Sequence, residues 1–356
     1  MLLGGLLAAQ QTPRVSPTAP PEEPAPVTIR VGVEEVVAPV NVYDREGAFV
    51  NGLRPDQFRL FDNGKEQNIH VDVTFTPISM VIAIQANANV DKILPQVSRI
   101  GAMIAPEILG NNGEASVVAY DSRIRTLQEF TSDPDKITLA VKKIYAGSTS
   151  NRMVDAVEEG VRQLRSRPKD RRRVLLLIGE TRDVASEAKP RETLIALQVN
   201  NVAMYSVDMS RLISSLTAGP QPGRQNNLPP AMSSLPSNVA ATPTMVQQTS
   251  GEGNAGRAEF IPLMVEIFKD VKAIFKANPV ELFTKGTGGS EFSFYRQRGL
   301  EESIERIGEQ LHSQYLITYN PNNKDEGGFH EITAEVIGRP EYKIQIRPGY
   351  WLATKQ

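Results

Sequence analysis

Three side-chain amides stand at a spacing of two residues just past an apolar run. The stretch Pro77 to Asp91 reads PISMVIAIQANANVD, and Gln85, Asn87 and Asn89 follow Met80-Val81-Ile82-Ala83-Ile84. Amide oxygens can ligate a hard cation such as Mg²⁺ or Ca²⁺, but affinity for such ions tracks the charge of the ligands. Charge has to come from elsewhere, and Glu180 and Asp183 are the carboxylates that follow a second apolar run, Val174 to Ile178. Other chemistry has little material. Cysteine is absent, so disulfides, thiolate zinc sites and cysteine nucleophiles are excluded. The three histidines, His70, His312 and His330, are scattered, which leaves no spacing for a histidine metal centre or a Ser-His-Asp triad. No strand end carries G-x-G-x-x-G or a P-loop pattern, and the turn Gln85 to Asn89 has no glycine at all.

The elements that must hold these residues read as a doubly wound sheet. A short continuous apolar run is the mark of a parallel strand covered on both faces by helices. Met80–Ile84, Val174–Ile178 and Val202–Val207 are such runs. Between them the apolar spacing predicts helices over Val90–Ile104, Asp133–Ile144 (Asp as N-cap and Pro at the first position), Val154–Leu164 and Glu187–Val199. Ala115–Tyr120 and Ile124–Phe130 read as strands joined at Asp121-Ser122-Arg123. Strands alternating with helices imply a mostly parallel sheet with right-handed crossovers. In such sheets ligands gather at the carboxyl ends of the strands, which is where Gln85, Asn87 and Asn89 fall.

The two ends of the chain read differently. Thr28–Val33, Val36–Tyr43, Phe58–Phe61 and Ile69–Val73 alternate like strands, with Asp62-Asn63-Gly64-Lys65 as a tight hairpin turn. These strands are too few to close alone. Gln314–Tyr319, Phe329–Ile337 and Tyr342–Ile346 at the other end are their natural partners. The α/β domain is then an insertion into one β-sandwich-like module, as exposed loops permit. The expected division is a signal-like segment and Pro-rich linker over 1–26, the first part of the β module over 27–76, the α/β domain over 77–312 and the rest of the module over 313–356. Arg211 to Arg257 interrupts the α/β rhythm with Pro, Ser, Gln, Asn and Gly, and is expected to be a flexible insertion. Helix is expected again over Glu259–Phe275 and from Pro279, then a strand over Glu291–Phe294 and a helix over Leu300–His312.

The chain of 356 residues is long enough for two domains, and 40% hydrophobic content supplies their cores. A net charge of -2 argues against a general nucleic-acid binder. The basic run Arg162 to Arg173 reads as a solvated helix end rather than an anionic-partner patch. The opening MLLGGLLAAQQTP resembles an export signal, with Leu2–Ala9 as its apolar core and no basic residues before it; the alternative is a frayed apolar terminus. Nothing else approaches the ~20 apolar residues of a membrane span.

Several fragments, in order along nearly the whole chain, resemble the VWFA-related proteins of the acidobacterial type, which carry a von Willebrand factor type A domain between β segments. They are Val40-Asn41-Val42-Tyr43-Asp44-Arg45-Glu46-Gly47, Gly52-Leu53-Arg54-Pro55-Asp56-Gln57-Phe58, Phe61-Asp62-Asn63-Gly64, Val154-Asp155-Ala156-Val157, Leu177-Ile178-Gly179-Glu180-Thr181-Arg182-Asp183, Thr287-Gly288-Gly289, Gln314-Tyr315-Leu316-Ile317-Thr318-Tyr319 and Arg347-Pro348-Gly349-Tyr350. The resemblance implies a Rossmann-like von Willebrand factor A fold and a non-enzymatic adhesion-type module. In that family a divalent cation sits at the strand ends, held by D-x-S-x-S, a Thr on a later loop and an Asp after the fourth strand, and a partner protein's carboxylate completes its shell. Here Gln85 stands at the first Asp, and Asn87 and Asn89 at the two Ser. Asn151 falls at the Thr when counted back from Asp155, with Thr149 serving if the loop is shifted. Glu180 lies at or near the last Asp, with Asp183 just beyond. The expected reading is a degenerate metal site with no cofactor: the amides hydrogen-bond loop backbone and cap the following helix. The functional expectation is an exported protein-interaction module with a protein partner. The alternatives are an envelope scaffolding protein, or an enzyme or nucleotide-binding protein using the same sheet edge.

Overall fold

The computed structural model describes residues 35–72, 76–217, 278–294 and 298–352. The strand expected at Thr28–Val33, Val73, most of the Arg211–Arg257 insertion and the helix expected at Glu259–Phe275 lie outside them.

The strand β5 (Ile78–Gln85) is buried at every position. Its even residues, Ile78, Met80, Ile82 and Ile84, enter one core, and Val81 and Ala83 enter another. That two-sided burial is why the segment shows no alternation. It pairs in parallel with β6 (Glu114–Tyr120) and with β8 (Arg172–Gly179). β7 (Ile124–Thr131) lies antiparallel to β6 at one edge. β9 (Val202–Asp208) and the short β10 (Glu291–Ser293) extend the sheet on the other side in parallel. The sheet order is β10-β9-β8-β5-β6-β7. Counted from β5, this is the 3-2-1-4-5-6 order of doubly wound folds, whose strand order reverses between β5 and β8.

Helices α1 (Leu94–Ile104), α2 (Pro134–Lys142) and α7 (Arg298–His312) supply the core on one face of the sheet. On the other face lie α3 (Met153–Arg165), α4 (Pro190–Val199) and α6 (Pro279–Gly286). Helix α1 starts four residues later than the apolar spacing predicts. A single 3-10 turn, Ala88–Val90, precedes it, and Pro95 sits in its first turn, where a missing N–H costs nothing. Helix α4 starts at Pro190 rather than Glu187, for the same reason. Asp133 caps α2 through the N–H groups of Asp135 and Lys136. The first residues of the expected insertion are instead helical, in α5 (Ser210–Thr217), whose start is held by the Asp208 carboxylate accepting from Ser210 N and Oγ.

The chain ends build a β sandwich around this insert. One sheet has the order β13-β1-β11-β4 and the other β14-β12-β2-β3. They comprise β1 (Val36–Tyr43), β2 (Phe58–Asp62), β3 (Lys65–Glu66) and β4 (Ile69–Asp72) from before the α/β unit, and β11 (Tyr315–Tyr319), β12 (Gly328–Val336), β13 (Lys343–Gln345) and β14 (Gly349–Leu352) from after it. β1 pairs antiparallel with β11, and β2 with β12, so neither sheet exists without both ends. The β2–β3 turn has Asn63 and Gly64 at φ 48° and 76°, the positive pair that a two-residue hairpin requires. The sandwich core includes a sealed polar cluster. Asp62 accepts from His330 Nδ1 at 2.7 Å, Asn323 Nδ2 at 2.9 Å, Tyr319 Oη at 3.0 Å and Tyr350 Oη at 2.7 Å.

The basic run is not a solvated helix end. Only Arg162 and Arg165 occupy the last turn of α3. Arg167 pairs with Glu114 at 2.8 Å, and Arg171 bonds Ser79 Oγ at 2.8 Å and the carbonyl of Ile78 at 3.0 Å. Arg172 and Arg173 are the first residues of β8 itself. Arg172 donates to Leu311 O at 2.7 Å and to Gln314 Oε1, tying the amino edge of the sheet to the segment that enters the sandwich. Periodicity ends a helix but does not say that the charges beyond it fold underneath.

Candidate functional site

The strand order reverses between β5 and β8, and their carboxyl ends are where sheets of this order place ligands. Gln85 is the last residue of β5 and is fully buried. Its Oε1 accepts from Glu180 N at 2.6 Å, which fixes the amide's orientation. The Nε2 then donates to Asn87 Oδ1 at 2.9 Å and to Glu180 Oε2 at 2.7 Å. Exposed Asn89 adds a longer bond to the same Glu180 oxygen, 3.4 Å. So one amide nitrogen gathers the oxygens of Asn87 and Glu180. Gly179 lets this happen: a Cβ there would stand 2.7 Å from Gln85 Oε1 and would overlap the Tyr120 hydroxyl. Tyr120 is fully buried, and its hydroxyl has no hydrogen-bond partner. Burial, with Glu180 and Asp183 nearby, holds it well above its usual value and therefore neutral.

The next shell is built by loops that lace together. Asn151 is buried and donates through Nδ2 to Arg182 O at 2.8 Å, while its backbone carbonyl accepts from Val184 N and Ala185 N. Thr149, two residues earlier, is exposed. Asp183 does not face the amides. It caps α3 from outside, accepting from Met153 N at 2.8 Å and Val154 N at 3.2 Å, and it takes the Ser186 hydroxyl at 2.7 Å. Asp155, within α3, accepts from Ala188 N at 2.7 Å and from Arg152 Nε at 2.6 Å, pinning the same loop from the other side. Asp121 forms the turn expected of it, with Arg123 N at 2.7 Å, and Gly147 passes so close to its carboxylate that any side chain there would overlap it.

The structure thus brings Gln85, Asn87, Asn89 and Glu180 into direct contact, sets Asn151 beside them through the 182–185 loop, and leaves Thr149 at the surface. No side-chain cap by Asn87 on the following turn is present; Asn87 spends its oxygen on Gln85. Its Nδ2 and the Asn151 Oδ1 are buried without side-chain or backbone partners. Two exposed apolar residues flank the rim that the amide pattern did not point to. Tyr145 is 64% exposed beneath the Arg125 guanidinium, and Val184 is 65% exposed. An exposed aromatic in a loop has no periodic signal in sequence, so only its place beside the rim singles it out. Among the described residues no three His, Cys, Asp or Glu side chains are grouped so as to hold a metal ion.

The six-stranded order, its one antiparallel edge strand and a polar rim at the β5–β8 reversal decide the architecture. The α/β unit has the von Willebrand factor A fold. Neither a protein-family model nor a curated protein matches the chain. Solved structures similar to it include the conserved hypothetical protein BatB from Bacteroides thetaiotaomicron, at 13% identity over 66% of this chain and 98% of that one, with a TM-score of 0.40. An aerotolerance-related membrane protein from Bacteroides fragilis is similar at 10% identity over 65% and 99%, TM-score 0.40. The SpRpn10 VWA domain is similar at 13% identity over 37% and 75%, TM-score 0.33. At such values the strand order carries the assignment, not these likenesses. No described helix is long and apolar enough to cross a membrane.

Proposed function

We propose that the chain is a non-enzymatic, exported protein-interaction module whose docking edge works without a divalent cation. The observation that carries this reading is the Gln85 amide, whose Nε2 stands 2.9 Å from Asn87 Oδ1 and 2.7 Å from Glu180 Oε2. A cation in that position would collect the same oxygens; here N–H groups collect them, and a cation cannot share the space with N–H hydrogens. Among the described residues the only carboxylate in direct contact with the amides is Glu180, and one charge does not offset the dehydration of Mg²⁺ or Ca²⁺. Exposed Asn89, Thr149, Tyr145 and Val184 are the surface left for a partner protein, and an aromatic with an adjacent arginine suits such contacts. Export is supported by the apolar Leu2–Ala9 segment. The absence from the sequence of a glycine-rich phosphate turn after Gln85 supports the non-enzymatic reading.

Calorimetric titration with Mg²⁺, Mn²⁺ and Ca²⁺ tests the cation-free edge. The wild type should give no saturable heat in the micromolar range. The triple variant Gln85→Asp, Asn87→Ser, Asn89→Ser should gain Mg²⁺ or Mn²⁺ binding. Stoichiometric binding by the wild type would overturn the reading.

A further inference from the structure

The sequence holds three Asn-Gly pairs, Asn51-Gly52, Asn63-Gly64 and Asn112-Gly113. Asparagine is a chemically labile residue. In such a pair the glycine nitrogen closes a five-membered ring if it bonds the asparagine Cγ, and with no Cβ on the glycine nothing blocks its approach. The three pairs are alike in sequence, but the fold treats them differently. Asn63, in the β2–β3 turn, is held at both ends of its amide: Nδ2 donates to Glu326 Oε2 at 2.8 Å, and Oδ1 accepts from Glu331 N at 2.9 Å. Asn112 is held through its backbone carbonyl, which accepts from Arg171 Nη2 at 2.8 Å. Gly113 after it is buried so tightly that a Cβ there would stand 2.4 Å from the Leu109 carbonyl oxygen. Asn51 and Gly52 lie exposed in the loop between β1 and β2. Among the described residues neither the Asn51 side chain nor the Gly52 N–H enters a hydrogen bond, and a Cβ on Gly52 would meet nothing within 4 Å. The base of this loop is fixed by one group. The Tyr315 hydroxyl accepts from Leu53 N at 3.0 Å and donates to Val50 O at 2.9 Å. The pair thus protrudes from a fixed base, and no contact holds the amide away from the Gly52 nitrogen.

We infer that Asn51 is a site of spontaneous covalent modification, which deamidates through a cyclic imide while Asn63 and Asn112 persist in the folded chain. The Gly52 nitrogen gives up its proton to hydroxide and attacks Asn51 Cγ. A new C–N bond forms, the bond from Cγ to the side-chain nitrogen breaks, and that nitrogen leaves as ammonia with a proton taken from water. Water then opens the imide at either carbonyl, leaving aspartate or isoaspartate and returning a proton to the Gly52 nitrogen; nothing is oxidised or reduced. Either product adds a negative charge to the surface of the sandwich. Isoaspartate also adds one backbone carbon between Val50 and Leu53, lengthening the span that the Tyr315 hydroxyl bridges. The site lies away from the rim and does not rest on the proposed docking function. In the test, the full chain is aged in warm, mildly alkaline heavy-oxygen water and mapped by peptide mass spectrometry, with isoaspartate counted by methyltransferase labelling. Asn51 should convert about tenfold faster or more than Asn63 and Asn112, and should give both products with heavy oxygen incorporated. The chain unfolded in denaturant should convert at all three pairs. Gly52→Ala, whose Cβ hinders the attack, should slow conversion at Asn51 by about tenfold or more. Should that variant fail to fold, the three pairs of the wild type decide alone. The inference is overturned by equal rates at the three pairs of the folded chain, by an Asn51 that does not convert, or by aspartate formed without isoaspartate.

Discussion

Asp62 in the sandwich and Glu180 at the rim are both carboxylates held by side-chain hydrogen-bond donors, yet their settings differ in one respect. Asp62 is sealed at 0% exposure, and its donors come from β11, β12, β14 and the 320s loop. Glu180 is only partly buried, and its side-chain donors, Gln85 and Asn89, come from the end of β5 and the turn after it. A sealed carboxylate with every donor supplied binds the strands to one another, and removing it strands several buried donors at once. A carboxylate at an open edge can exchange a protein donor for water at little cost, which leaves it free to serve binding. Glu291 is a third case. It is half-buried beside Asp208 and Glu281 without enough compensation, and partial burial pushes it up to about 7.

Breaking the sealed site should have the largest effect. Asp62→Ala leaves His330, Asn323 and two tyrosine hydroxyls unmatched in the core, and about 3–5 kcal/mol of stability should be lost in denaturant unfolding. A loss similar to that of a rim variant would erase the distinction between sealed and open sites. Glu291 sharpens it through pH. Its folded value lies above the ordinary carboxylate value of 4.5, so the proton is held more tightly in the folded state. Its contribution is fully favourable below that ordinary value and is lost as pH rises through about 7. Glu291→Gln should therefore raise the melting temperature at pH 8 and leave it nearly unchanged at pH 4; equal shifts at both would refute the uncompensated burial. Next in size is Asp183→Ala, which removes the cap on α3 and the bond to Ser186 and should cost about 1–2 kcal/mol. The smallest effect belongs to Asn89→Ala. Its single long bond at an exposed position should be worth less than about 0.5 kcal/mol in chemical denaturation. A larger loss would mean that the rim is a structural site like Asp62.

Much of the architecture was legible in the residues. The unbroken apolar runs at Met80–Ile84 and Val174–Ile178 declared strands covered on both faces, because only such strands dispense with alternation. Asp133-Pro134 marked the start of α2, and Asn63-Gly64 the β2–β3 turn, because both depend on local backbone chemistry. Helix starts at Val90 and Glu187 were set too early, since apolar spacing continues into turns that bury the same face. The arginines from Arg167 to Arg173 were misjudged for a deeper reason. A charge run looks alike whether it meets water or the carbonyls of Leu311, Asn200 and Ile78, and those partners lie far along the chain.

The sequence by itself determined that the residues at the end of β5 would be amides at a sheet's carboxyl edge, because strand identity and the spacing of two are local properties. It also led to the expectation that Gln85 stands where the family motif begins with Asp, and Asn87 and Asn89 where it has Ser. Only the tertiary structure decided what those amides do. Gln85 and Glu180 are separated by 95 positions and meet because β5 and β8 are neighbours in register. The direction of the Gln85 amide, oxygen toward the Glu180 N–H and nitrogen toward two oxygens, follows from that meeting and from the room left by Gly179. Hydrogen-bond direction belongs to pairs of groups, and pairs this distant in sequence are created by the fold.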